Sequence, residues 1–418
     1  MNLLIKQAKI IDKHSDYHLK TMDIFIENGK IITIAKQINP AKPHKVIVLK
    51  NLHVSTGWFD TSVCFGEPGF EERETLLHGL EVAAKSGFTA VAINPLTNPI
   101  NDNKSGIRFL IDKAQNHLVK VYPFGALTQK SEGKELAELF DMQQAGAIAF
   151  TDYGKGIANA NLLKLALQYT QNFDALVMDF PLDLSLSFDG QMHEGIQSTK
   201  NGFKGIPAMA EIVQIKRDLT LLSYTGGRLH LPNISCKRSV QLIKNAKKKG
   251  LNVTCSVAAH HLVLTDNALA DFNTNYKVSP PLREATDVKA LINGVLDGTI
   301  DMINSDHNPI DIENKKIEFA HALNGTIGLE SFFGALNNII DLETLIDAIT
   351  SKPRACFRVE STSVKEHIIA NLTLFNPEGT YKFEEKNILS TSKNALFLNK
   401  TLTGMVYGVI NNGKIILN

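Results

Sequence analysis

Between residues 54 and 359, short apolar runs alternate with stretches whose apolar residues recur every three or four positions, and this alternation restricts the fold more than any other feature. About eight runs have the length and flanking turn residues of buried strands. They fall at 58–64, 89–94, 119–124, 147–151, 175–180, 229–234, 252–257 and 300–305. Helical stretches intervene. Residues 72–84 place Leu76, Leu77, Leu80 and Ala84 on one face, and residues 239–249 do the same with Val240, Ile243 and Ala246. Strands joined by crossover helices run parallel, so the pattern predicts an α/β fold, a closed (β/α)8 TIM-type barrel over 54–359.

The flanks are patterned differently. Residues 3–11, 22–26 and 31–35 read as short strands, the last two joined by the turn Glu27-Asn28-Gly29-Lys30. Residues 370–375 are apolar on alternate positions, and 409–416 form a strand, turn, strand signature around Asn412-Gly413. Residues 1–53 and 360–418 are therefore expected to build one composite antiparallel β-sandwich domain. A chain of 418 residues can bury a large barrel core and still carry such an appendage.

A formal net charge of +1 gives no broad field for nucleic acid or an anionic membrane, which leaves small molecules or proteins as partners. No apolar run has the length of a membrane span, and the opening residues lack a signal-peptide layout, so the cytoplasm is the expected location. Cys64, Cys236, Cys255 and Cys356 lie far apart without a CxxC pair, which argues for small apolar core residues over a zinc knuckle or a disulfide framework. Lys247-Lys248-Lys249 before Gly250 reads as a solvated helix end.

In such barrels reactive groups gather where strands end. The first run closes with Asp60-Thr61-Ser62-Val63-Cys64-Phe65-Gly66-Glu67-Pro68-Gly69-Phe70-Glu71. Further blocks are Asn94-Pro95-Leu96-Thr97-Asn98-Pro99, Ala149-Phe150-Thr151-Asp152-Tyr153-Gly154, Gly190-Gln191-Met192-His193-Glu194-Gly195, His260-His261-Leu262 and Pro280-Pro281-Leu282-Arg283. Ser305-Asp306-His307-Asn308-Pro309, Gly328-Leu329-Glu330 and Ser392-Lys393-Asn394 complete them. In these blocks the chain resembles the dihydroorotases, a branch of the cyclic amidohydrolases, along almost its full length.

The resemblance implies a hydrolase that opens or closes the cyclic amide of dihydroorotate, with zinc activating a water and polarising the carbonyl. It also implies where the metal ligands should stand. The two histidines that end the first strand fall at Ser62 and Cys64. Asp152 matches the first of two paired acids after the fourth strand, and Tyr153 replaces the second. The single histidines ending strands five and six fall at Phe180 and Asn233, while His230 matches a histidine that is not a ligand. Asp306 holds the place of the catalytic aspartate. Substrate contacts depart in parallel: an arginine position is Gly66, two asparagine positions are Leu96 and Ser279, and a histidine position is Ile310. Neither glycine nor leucine supplies the donors that clamp a carboxylate.

Structural roles compete with functional ones throughout. Asp306, the best catalytic candidate, and Asp152 could each hold a cap or turn. Cys64 has no activating base nearby in sequence. His260 and His261, as neighbours, should point opposite ways, leaving at most one near the pocket. His193 reads as a lid or turn residue, and Asp179 is the best candidate for a rebuilt ligand. The leading expectation is a non-catalytic homologue in pyrimidine biosynthesis that binds no metal. The resemblance implies aspartate transcarbamoylase as its partner, in a scaffolding or regulatory role, and a homo-oligomer is expected. One alternative is an active zinc-dependent amidohydrolase rebuilt from Asp152, Asp179, Asp306 and Cys64. Another is a small-molecule sensor whose pocket Phe180, Leu96 and Ile310 make more apolar.

Overall fold

The computed structural model describes residues 2–418. Eight parallel strands follow one another in chain order: Trp58–Val63, Phe88–Ile93, Lys120–Gly125, Ala149–Phe150, Val177–Met178, Leu229–Leu231, Val253–Ala258 and Met302–Asn304. The ring closes just past the last strand, where Cys64 N donates to His307 O at 2.7 Å and His307 N donates to Ser62 O at 3.2 Å. Strand alternation sorts the side chains. Ala90 and Ala92 face a lumen filled by Phe59, Tyr122, Phe124, Met178 and Met302, while Val91 and Ile93 face the surrounding helices. Phe357 closes the lower end of the lumen, its ring 5.3 Å from that of Phe124.

The expected strands all form, and the helix boundaries shift for local reasons. The first helix spans Leu76–Lys85, because Thr75 caps it and the preceding residues fold into a loop held by Glu67, whose Oε2 accepts from Leu76 N. Leu77, expected on the buried face, is 44% exposed; it lies about 100° around the helix from Leu76 and about 60° from Leu80, both fully buried. The helix Lys237–Lys248 ends in a cation that is more than solvated: Lys247 Nζ donates to both oxygens of Asp301.

Both chain ends contribute to a second, eight-stranded sheet. Its halves meet where His53–Thr56 pairs antiparallel with Leu372–Lys382. The sheet is not purely antiparallel, because Leu3–Ile10 pairs parallel with both Lys45–Ile47 and His53–Thr56. Its core is Leu3, Ile5, Ile24, Ile26, Val54, Leu372 and Leu374 with their neighbours. Asn28-Gly29 and Asn412-Gly413 turn the two hairpins with positive φ at both residues, as that dipeptide favours. Two boundaries move relative to the sequence reading. The strand His53–Thr56 belongs wholly to this sheet, and residues 383–399 leave it to pack on the barrel top, with Ile388, Leu396 and Phe397 against Val278, Leu282 and Ile327. Among the described residues no helix is long and apolar enough to cross a membrane.

Candidate functional site

Three strand ends converge on Asp306 at the barrel mouth. Its Oδ1 accepts from Ser62 Oγ at 3.1 Å, from the Tyr153 hydroxyl at 2.9 Å and from Asn233 Nδ2 at 2.8 Å. Asp306 and Asn233 both take left-handed backbone, with φ of 48° and 51°, which Asp and Asn tolerate better than other side chains. Burial raises the Asp306 carboxyl above its ordinary value, and the bonds from Tyr153, Ser62 and Asn233 pull it back down. Burial also raises Tyr153 and Cys64, so the phenol keeps its proton to donate and the thiol stays neutral.

A second layer holds the donors. Asn94 Nδ2 donates to Ser62 Oγ at 3.1 Å, and Asn304 Nδ2 donates to Asn233 Oδ1 at 2.9 Å. His230 bridges the Thr254 and Ser256 hydroxyls. Asp60 accepts from Ser62 N at 3.0 Å and from Ser305 N at 3.1 Å, tying the first strand to the last. His307 accepts from Gly328 N through Nδ1 and is pushed by burial down to about 3, so it is a neutral structural ring. Neutral amides and hydroxyls thus bind Asp306, with the Asp60 carboxyl in the layer behind them, and only Asn304 Oδ1 and His307 Nε2 of these side chains lack a partner. Sequence reasoning passed over Asn94, Asn304 and Asp60. The available signal was polarity in the middle of otherwise apolar strand ends.

The family-type zinc does not fit these residues. Zinc takes imidazole, thiolate and carboxylate donors, and among the described residues no three His, Cys, Asp or Glu side chains converge. Of the assigned positions, Ser62 and Asn233 are spent on Asp306, and Phe180 packs with Leu182, Ile206 and Ala210. Asp152 points to the adjoining loop: its Oδ1 accepts from Leu127 N and Thr128 N, each at 3.0 Å, and its Oδ2 from the Thr128 hydroxyl. Asp179 is likewise engaged, by Ile157 N at 2.9 Å, Gln214 Nε2 at 2.7 Å and Arg217 Nη2 at 3.2 Å. The rebuilt site of Asp152, Asp179, Asp306 and Cys64 is therefore not assembled, because two of the four carboxylate or thiol groups serve other loops and helices.

The substrate positions are equally altered. A Cβ at Gly66 would lie 2.0 Å from the backbone oxygen of Phe70, so this loop conformation admits no side chain there. Leu96 lines a cavity of about 30 Å³ with Tyr153 and Lys155, room for little more than a water. Ser279 precedes Pro280 in a cis peptide and is half-buried. Ile310 is buried at the edge of a separate open groove of about 970 Å³ that is also lined by Asp311, Ile312 and Lys316. Leu96 and Ile310 thus line separate cavities while Phe180 packs into an apolar cluster of its own, so the three are not brought together as the sensor reading expects.

His193, His260 and His261 lie outside the hydrogen bonds around Asp306. Arg283 Nη1 donates to His193 Nδ1 at 2.9 Å, and burial, with Arg283 second, pushes that ring down to about 4. His260 and His261 do not diverge as expected. They sit on the helix Ala259–Val263, their ring centroids 4.4 Å apart, and His261 Nε2 bonds to Pro280 O at 3.0 Å.

Known proteins share this architecture. An L-hydantoinase (dihydropyrimidinase) from Arthrobacter aurescens superposes with a TM-score of 0.87 at 20% identity, over 100% of this chain and 96% of its own. A D-hydantoinase superposes with a TM-score of 0.84. The shared fold is a (β/α)8 barrel with a β-domain made from both chain ends. Sequence narrows this further. The dihydro-orotase-like family model matches residues 52–239. A dihydroorotase of Geotalea daltonii is 37% identical over 100% of this chain and 99% of its own, and one of Caldicellulosiruptor saccharolyticus is 40% identical over 99% and 98%. The chain belongs to the dihydroorotase family.

Proposed function

We propose that this chain is a non-catalytic dihydroorotase homologue of pyrimidine biosynthesis, with a scaffolding or regulatory role toward aspartate transcarbamoylase. One observation carries the reading: the carboxylate at the catalytic position is bound by Ser62, Tyr153 and Asn233, three neutral donors. Those hydrogen bonds stabilise a buried carboxylate in the absence of a cation. The lack of room for any side chain at Gly66 supports the same reading, since this loop cannot accommodate the arginine that the resemblance expects there. Full-length similarity to proteins named dihydroorotase supports retention of the outer scaffold.

A homo-oligomer is part of this proposal. Leu165, Tyr169 and Met209 are exposed on the neighbouring helices Ala160–Thr170 and Ala208–Thr225, where a partner surface would cover them. The test is sedimentation of the purified chain alone and mixed with aspartate transcarbamoylase from the same organism. A mixed species heavier than either component is expected. Independent sedimentation of the two proteins at micromolar concentration removes the partner assignment.

A further inference from the structure

At the end of the barrel opposite Asp306 lies a second cavity, of about 560 Å³, between the lower barrel rim and the β-domain. Its walls come from the starts of the strands Phe88–Ile93 and Lys120–Gly125, from the helix Ser351–Phe357 and from residues 360–371. The packed lumen, with Phe59, Tyr122, Phe124 and Phe357, separates it from the barrel mouth. Its volume is that of an ordinary small-molecule site.

The charge of the lining is one-sided. Lys30, Lys120, Arg354 and Lys365 face a single carboxylate, Glu360, which already lies 3.6 Å from Lys120 and is itself exposed. Arg354 is the unusual member. It is 3% exposed and packs over the Phe59 ring, and its Nη2 donates to Gly57 O at 2.9 Å. No carboxylate among the described residues forms an ion pair with it, and its buried Nε has no hydrogen-bond partner. A buried guanidinium without a counter-charge is costly unless an anion is brought to it. A guanidinium with a single backbone hydrogen bond and no counter-charge, beside three lysines on one cavity wall, marks a place for an anion.

We propose that this cavity binds a small phosphate-bearing molecule, with Arg354 and the three lysines holding the phosphate. Guanidinium and ammonium groups together suit phosphate oxygens. The site is independent of the barrel mouth and does not rest on the proposed function.

Titration calorimetry of the full chain at constant ionic strength, with inorganic pyrophosphate and with ribose 5-phosphate as probes, tests it. Saturable binding is expected for at least one probe. In a Lys30→Ala, Lys365→Ala double variant, at two exposed positions that leave the core intact, the affinity should fall at least about tenfold. A Lys316→Ala variant in the groove beside the mouth should bind as the wild type does. Absence of saturable binding by both probes overturns the proposal. So does binding that survives the double variant or that Lys316→Ala weakens equally.

Discussion

Asn233 Nδ2 donates to Asp306 Oδ1 at 2.8 Å, joining the end of the sixth barrel strand to the end of the eighth where the resemblance places a metal bridge. The amide is itself held by Asn304, so its orientation is fixed from behind. Replacing it with a carboxylate puts two buried acids within hydrogen-bond reach. Asn233→Asp should cost about 3 kcal/mol at about pH 8, the scale for breaking a buried charged network. The folded pair then holds a proton that the unfolded chain releases, so the deficit should shrink as pH falls toward about 5. Urea unfolding at the two pH values reads it. An unchanged stability at both would show that the bond carries no weight.

Gly66 is fixed by the chain around it. Since a Cβ would meet the Phe70 oxygen at 2.0 Å, Gly66→Ala should destabilise by about 2 kcal/mol through backbone displacement. Gly66→Arg should do at least as much harm and confer no dihydroorotate binding. Denaturant midpoints and a dihydroorotate titration check both outcomes.

The alternation of apolar runs was enough to place all eight barrel strands, because a period-two or continuous apolar run between turns has few other solutions. The Asn-Gly hairpins were legible for the same local reason. The substitutions at Ser62, Phe180, Asn233 and Gly66 were visible from motif positions, but their consequences were not. That Ser62, Tyr153 and Asn233 all turn to one oxygen depends on strands far apart in sequence. That Asp152 turns away depends on the 127–128 loop, and the proximity of His260 and His261 depends on the short helix Ala259–Val263. The path of residues 383–399 over the barrel top is a tertiary choice without a local signature.

Asp152 holds a loop. Asp152→Ala should leave the Thr128 amide without its acceptor and the Leu127 amide with only its longer bond to Thr151 O, so their hydrogen exchange should accelerate, most at Thr128, while exchange at Val91 in the barrel wall stays slow. Uniform acceleration through the barrel would assign Asp152 a global role. No change at either amide would remove the assignment.

Asp60 makes stability depend on pH in a definite direction. Burial, opposed by bonds from Ser305 and Ser62, pushes its carboxyl from the ordinary 3.8 to about 7. The folded chain therefore binds a proton that the unfolded chain has lost, and stability from this group falls as pH rises through that window. Relative to Asp60→Asn, the wild type should lose as much as about 4 kcal/mol across it. Unfolding free energies of the two proteins against pH give the difference, and parallel profiles would contradict it.

The central claim is that a carboxylate satisfied by Ser62, Tyr153 and Asn233 neither holds zinc nor drives hydrolysis. Elemental analysis of protein purified without chelators, paired with a dihydroorotate turnover assay on the same sample, tests it most directly. The expected result is zinc far below one ion per chain and no turnover above the uncatalysed rate. Stoichiometric zinc that disappears in Asp306→Ala, together with turnover lost in the same variant, would contradict it.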